Sequence, residues 1–155
     1  PFDGADPVGP TPVQAGGPPI LAGVMGPKAM ARAAHWADGV YSFSMSGSAA
    51  ETAGFFRMAE QAWQAAERQA PPQKVGGFWY CLADNAEEKM KDYVYDYLKI
   101  LGDKIARPVA NSMKNFDAHV IKDTLTVMAA TGCEEVFLCS ATDELSELDR
   151  LLNIL

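Results

Sequence analysis

The amino-acid sequence predicts an α/β fold in which four parallel strands are covered by helices. Strand-like and helix-like segments alternate four times, with one extra helix before the last strand, and this order is typical of a parallel sheet with right-handed crossovers. The strand-like segments are short apolar runs, as expected of strands buried on both faces. Four such strands form either half of an eight-stranded barrel or a small doubly wound sheet, and the periodicity fits both.

The composition is that of a globular domain with an acidic surface. The chain has 155 residues, of which 48% are hydrophobic and 21% charged, and its formal net charge is −7. Nucleic acids and anionic membranes bind clustered Lys and Arg, so we expect neither as a partner. No apolar run approaches the roughly 20 residues that cross a bilayer.

The cysteines and histidines predict no metal centre. Cys81, Cys133 and Cys139 are odd in number and lack the Cys-x-x-Cys spacing of zinc sites. We therefore expect free thiols and a cytoplasmic protein. His35 and His119 lie on predicted helices with no neighbour at a metal-binding spacing.

The chain divides into an arm and a domain. Residues 1–17 are rich in proline and glycine, which predicts a loop or arm, and residues 18–155 form the domain. The first strand covers residues 18–24. A helix follows over residues 27–36, and its first-turn proline is tolerated because that position has no intrahelical acceptor. The second strand covers residues 39–45.

The middle of the chain repeats this pattern with longer helices. A helix is predicted over residues 51–69, ended by two prolines, and a strand over residues 74–83. Asp84 offers an N-cap for a helix that runs to residue 107, where Pro108 marks a break.

The last third adds two helices and a strand. Asp117 caps a helix that ends at Gly132, the left-handed C-terminal residue, and a strand covers residues 134–140. Thr142 is expected to cap the final helix. The apolar stripe of that helix consists of Leu145, Leu148, Leu152 and Leu155.

The turn after the first strand is the best candidate for a binding site. A strand that passes through a glycine turn into a helix N-terminus presents free N–H groups and the positive end of the helix dipole to an anion. The alternative is an ordinary tight connection. The candidate phosphate-binding residues are Gly23, Val24, Met25, Gly26, Pro27, Lys28 and Ala29.

Other strand residues are weaker candidates. Because side chains alternate along a strand, Ser42 and Ser44 share one face, whereas Trp79 and Tyr80 point to opposite faces. One of each pair could line a cavity, although packing is the simpler role for the aromatic pair. No Ser-His-Asp order, HExxH motif, phosphate-binding P-loop or complete GxGxxG motif is present.

The same turn carries a family resemblance. Residues 19–30 read Pro-Ile-Leu-Ala-Gly-Val-Met-Gly-Pro-Lys-Ala-Met, and Ala-Asp-Gly-Val follows at 37–40. These motifs resemble the luciferase-like monooxygenases, which are flavin- or F420-dependent TIM-barrel oxidoreductases. Residues 127–138 resemble the family's entry to its last strand. Val24 stands where the family usually has a second glycine.

The resemblance implies a fold, a cofactor and a partner. The four strands would be strands five to eight of a barrel, so the chain would be a C-terminal half. The turn would hold the phosphate of FMN or F420 in an oxidoreductase acting on an unknown small organic substrate, with catalytic residues unassigned. The missing N-terminal half or a second chain would cover the sheet edges, giving an oligomer. The alternative is a non-catalytic half-barrel fragment or partner-binding subunit.

Overall fold

The computed structural model describes residues 9–155, and the first eight residues of the predicted arm lie outside this range. Residues 9–17 form turns and bends without a helix or strand, and residues 9–16 are exposed. The boundary between arm and domain at residue 17 stays a prediction.

The sheet has the topology of half a (β/α)8 barrel. Its strands are β1 (Leu21–Ala22), β2 (Gly39–Ser44), β3 (Gln73–Tyr80) and β4 (Glu135–Ser140). All neighbours pair in parallel, and the order is β1-β2-β3-β4. A doubly wound sheet reverses the direction in which strands are added, whereas this sheet adds every strand on the same side. The structure therefore selects the half-barrel of the two predicted folds.

Helices cover the two faces of the sheet differently. The helices are α1 (Pro27–Ala33), α2 (Ala49–Ala65), α3 (Ala86–Leu98), α4 (Asp103–Ser112), α5 (Ala118–Ala130) and α6 (Ser146–Ile154). Helices α1 and α2 pack around Val40, and α5 and α6 pack around Phe78, both fully buried residues on one face. Helices α3 and α4 instead pack around Trp79, on the other face near the carboxyl ends of the strands. No helix within residues 9–155 is long and apolar enough to cross a membrane.

The helix predicted from Asp84 to residue 107 is two helices. The chain leaves α3 through a 3-10 turn (Lys99–Leu101) and reverses direction at Gly102. The φ of Gly102 is +91°, a value that glycine adopts without strain. Pro108 lies inside α4 and does not end it. The predicted break was thus misplaced, because the reversal that lets α4 pack on α3 needs a positive φ.

The predicted cap of α5 is confirmed. Asp117 Oδ1 accepts hydrogen bonds from the backbone N–H groups of His119 at 2.7 Å and Val120 at 3.3 Å. Gly132 takes a positive φ of +80° just after the helix, as predicted.

Helix α6 differs from its prediction in both start and orientation. It begins at Ser146, and Thr142 belongs to the preceding turn, where its Oγ1 accepts a hydrogen bond from Glu144 N at 3.3 Å. The leucine stripe (Leu145, Leu148, Leu152 and Leu155) is exposed, whereas Leu151 and Glu147 are buried. Glu147 faces inward because its carboxylate accepts the backbone N–H of Leu82, just beyond β3.

Candidate functional site

A cavity of about 510 Å³ opens on the sheet face that α1, α2, α5 and α6 leave uncovered. It lies between the carboxyl ends of the strands and α3. In a parallel barrel this end of the strands carries the active site. The lining residues come from every strand or its following turn and from α3: Gly23, Met25, Tyr41, Phe43, Met45, Trp79, Tyr93, Tyr97, Leu98 and Cys139.

The strand register brings the sheet-borne lining residues together. Phe43 is paired with Gly77, and Trp79 with Cys139, so these residues share one face. A Cβ atom on Gly77 would lie 2.6 Å from the hydroxyl of Tyr41 and 3.0 Å from the ring of Phe43. Glycine is therefore needed here, because its missing side chain leaves room for both rings to lie across the sheet.

Helix α3 continues this aromatic surface. The ring centroid of Trp79 lies 4.6 Å from that of Phe43 and 5.3 Å from that of Tyr97, both edge to face. Tyr97 and Tyr93, one helical turn apart, stack with centroids 6.3 Å apart. Together these rings form a continuous aromatic surface. We call the part formed by Tyr93 and Tyr97 the α3 wall.

A polar clamp holds α3 against α4. Tyr95 donates a hydrogen bond to Asp103 at 2.8 Å, and Arg107 bonds the same carboxylate at 3.2 Å while lying over the Tyr95 ring. The hydrogen bond from Tyr95, with that from Arg107, lowers the pKa of Asp103. This clamp fixes the helix pair and so helps to position the α3 wall.

The cavity is electrically neutral. None of its lining residues within the described chain carries a charged side chain. Burial raises the pKa of Tyr41, with a smaller contribution from Cys139, and burial also raises the pKa of the Cys139 thiol. Both groups are therefore protonated at neutral pH, and Tyr41 can donate a hydrogen bond into the cavity.

The turn between β1 and α1 adjoins this cavity. Helix α1 has no acceptor within its own first turn for the N–H groups of Lys28 and Ala29, and the first such bond runs from Met30 N to Gly26 O at 2.9 Å. A Cβ atom on Gly23 or Gly26 would meet no described atom within 4 Å. Packing therefore does not require either glycine, and the backbone of the turn is open on that side.

The structure places the candidate turn residues in different environments. Gly23 and Met25 line the cavity, whereas Val24 packs against the core around α1 and α2. Pro27 and Lys28 are exposed beside them, and Gly26 and Ala29 are partly buried.

Of the other candidates, only Trp79 reaches the cavity. Tyr80 points to the opposite face and packs beneath the helices. Ser42 and Ser44 share that covered face, as their spacing predicts, and Ser44 donates to Glu51 at 2.7 Å. Neither serine lines the cavity.

The α3 wall is one part of the site that was not predicted from the sequence, as are the lining residues Tyr41, Phe43 and Met45. Tyr93 and Tyr97 lie in the same apolar stripe as Val94 and Leu98, a pattern that by itself predicts burial for all four. The structure buries Val94 and Leu98 but leaves the two tyrosines 38% and 60% exposed. Two tyrosines one turn apart at the edge of an apolar stripe were the available signal.

The histidines take no part in the site. His35 is exposed in the turn after α1, and His119 is exposed in the first turn of α5. Among residues 9–155, no group of three His, Cys, Asp or Glu side chains is arranged to hold a metal ion.

Comparison with known proteins agrees with this architecture. A family profile described as luciferase-like monooxygenase matches residues 6–132. A solved structure described as an F420-dependent secondary alcohol dehydrogenase in complex with an F420-acetone adduct is similar in fold, with a TM-score of 0.65 and 14% identity. The match covers 88% of this chain and 48% of that one, so this chain spans about half of that protein's length. No curated protein matches the chain. Because the profile spans most of the residues, the chain belongs to the luciferase-like monooxygenase family.

Proposed function

We propose that the chain is part of an oxidoreductase that uses FMN or F420 to transform a small organic substrate. The observation that carries this proposal is the junction of the glycine turn with the aromatic cavity at Gly23 and Met25. An anion-binding backbone and an apolar space beside it match the two ends of a cofactor that joins a phosphate to a flat ring. The bound cofactor supplies the redox chemistry, by hydride transfer or oxygen activation.

In this proposal the turn from Gly23 to Ala29 binds the cofactor phosphate. The N–H groups of Lys28 and Ala29 donate to the phosphate oxygens, and the ammonium group of Lys28 adds positive charge. The glycines at 23 and 26 let the phosphate approach the backbone closely, since a side chain at either position would occupy the open space.

The aromatic cavity forms part of the wall for the cofactor ring and the substrate. Phe43 and Trp79 offer apolar surface at the carboxyl ends of β2 and β3. Contact between Trp79 and the α3 wall excludes water from one side of the space, and the hydroxyl of Tyr41 remains as a hydrogen-bond donor.

We also propose that a partner unit completes the barrel, supplied by an N-terminal half or by a second chain. Among residues 9–155, strand β1 pairs only with β2 and β4 only with β3, so both outer strands present backbone groups without a partner in this range. The leucine stripe of α6 is exposed at the β4 end of the chain. A cytoplasmic location is part of the same proposal, supported by the three free thiols.

Cofactor titration tests the function. FMN and F420 are added separately to the purified chain, and binding is followed by the change in cofactor fluorescence. We expect Gly26→Val to weaken binding of the preferred cofactor at least tenfold. Its urea unfolding midpoint should fall only slightly, because the new Cβ meets no described atom and the remaining cost is that of a less favourable N-cap residue for α1. Gly54→Ala, in α2 away from the site, is the matched control and should bind normally. Failure of the wild-type chain to bind either cofactor, or unaltered binding by Gly26→Val, would overturn the proposed site.

A further inference from the structure

We infer that the aromatic cavity takes an uncharged, largely apolar substrate that carries a hydroxyl or carbonyl oxygen, and that the α3 wall selects it. This inference rests on the proposed function, because it identifies the class of molecule that the same cavity accepts.

The lining offers no counter-charge to an ion. Charged residues make up 21% of the chain, yet none of the ten side chains and glycines that line the cavity is among them. An ion that moves from water onto this lining loses part of its hydration without gaining a partner among the lining residues, which is unfavourable. A neutral molecule avoids this cost and gains from contact with the rings.

Most cations of α3 and α4 are engaged elsewhere, and Lys28, in the glycine turn beside the cavity, is assigned to the cofactor phosphate in the proposed function. Helix α3 carries Lys89, Lys91 and, at its end, Lys99, and each forms an ion pair with an acidic residue outside the cavity. Arg107 of α4 is held in the clamp with Asp103. None of these cations lines the cavity, so an anionic substrate would not find one among them.

The rings are also not arranged as a cage for a cation. A cation binds over ring faces that converge on it. Here Trp79 meets Phe43, Tyr93 and Tyr97 edge to face, with interplanar angles of 65–71°, so the rings pack on one another. This surface suits an apolar molecule that lies against the rings.

One directional group remains in the cavity. The protonated hydroxyl of Tyr41 stands on β2 beside Phe43 and donates a hydrogen bond to an oxygen acceptor. A substrate with a single hydroxyl or carbonyl oxygen satisfies this donor, while its carbon skeleton contacts the rings.

Three probes of equal shape and different charge test the inference. Neohexanol, choline and the tert-butylacetate anion share a branched head and differ chiefly in being neutral, cationic and anionic. Saturation-transfer NMR on the methyl protons measures their affinities for the full chain, with and without the preferred cofactor. We expect neohexanol to bind at least tenfold more tightly than either ion. Equal or tighter binding of choline or of the anion, or no binding of any probe, would overturn the inference.

Variants locate the binding and separate the two proposals. Tyr97 is 60% exposed, so Tyr97→Ala should fold normally, and we expect it to weaken neohexanol binding about fivefold. Trp36→Phe, an exposed aromatic change outside the cavity, should leave it unaltered. If Tyr97→Ala has no effect, the α3 wall does not select the substrate. If the chain binds no cofactor but still binds neohexanol more tightly than the two ions, only the proposed function is contradicted. If it binds the cofactor normally but binds choline or the anion more tightly than neohexanol, only this inference is contradicted.

Discussion

Replacing Glu147 with alanine should destabilise the chain more than replacing a leucine on the same helix. Glu147 is 2% exposed, and its carboxylate accepts the backbone N–H of Leu82 and a hydrogen bond from Arg150 at 3.3 Å. In Glu147→Ala the N–H of Leu82 loses its acceptor in the interior, which costs about 1–3 kcal/mol.

The comparison residue is Leu152, which is 61% exposed. Full burial of a leucine contributes about 1.5–3 kcal/mol, so Leu152→Ala forfeits roughly two-fifths of that, about 0.6–1.2 kcal/mol. The better helix propensity of alanine offsets a further part. We therefore expect Glu147→Ala to be the more destabilising change by about 1 kcal/mol, the reverse of what hydropathy alone suggests.

Urea unfolding at pH 7, followed by circular dichroism, measures both variants. Glu147→Gln is the control, because its amide oxygen still accepts the hydrogen bond from Leu82 N–H. Its free energy of unfolding should lie between those of the wild type and Glu147→Ala. If Leu152→Ala costs as much as Glu147→Ala or more, the leucine stripe lies in the core of the isolated chain and the orientation of α6 described above is wrong.

Three further changes test other parts of the fold. Gly39→Ala should lower the free energy of unfolding by about 1–3 kcal/mol, because its Cβ would lie 2.3 Å from the carbonyl oxygen of Gln73; unchanged urea unfolding would contradict this. Gly54→Ala should raise the free energy of unfolding by up to about 1 kcal/mol in the same assay, because the site has space for a methyl group and alanine favours a helix. A lower free energy of unfolding would contradict the space seen at this site. The lowered pKa of Asp103 means that its stabilising bond to Tyr95 is present above the unfolded pKa of about 3.9 and is lost as the pH falls through the folded value. Amide hydrogen exchange in α4, corrected for the intrinsic pH dependence, should therefore show less protection at pH 3 than at pH 5. An equal loss of protection in Asp103→Asn would exclude the Asp103 carboxylate as its cause.

Local patterns in the sequence were sufficient for the four strands in their order along the chain and for the position of the glycine turn, although they predicted α3 and α4 as one helix. Alternating apolar runs and helical stripes depend on neighbouring residues, and Asp117 caps its helix through bonds to residues two and three positions away. The choice of half-barrel over doubly wound sheet depended on strand order, which no local pattern contains. The role of Tyr93 and Tyr97 was hidden for a similar reason, because the reversal at Gly102 decides which part of the α3 stripe becomes core and which faces the cavity.

The leucine stripe of α6 is a local hydropathy pattern that predicts burial, yet its residues are exposed in the structure. Its four leucines are spaced by three, four and three residues, a pattern that predicts burial against another surface. Within residues 9–155 the surface under α6 is already occupied by Leu151 and Glu147. No residue of the outer strand β4 is buried, whereas the last six residues of β3 all are. An exposed apolar stripe beside a half-covered outer strand is typical of an interaction site. The pattern in α6 therefore agrees with the proposed partner unit, because residues 9–155 provide no surface that buries this stripe.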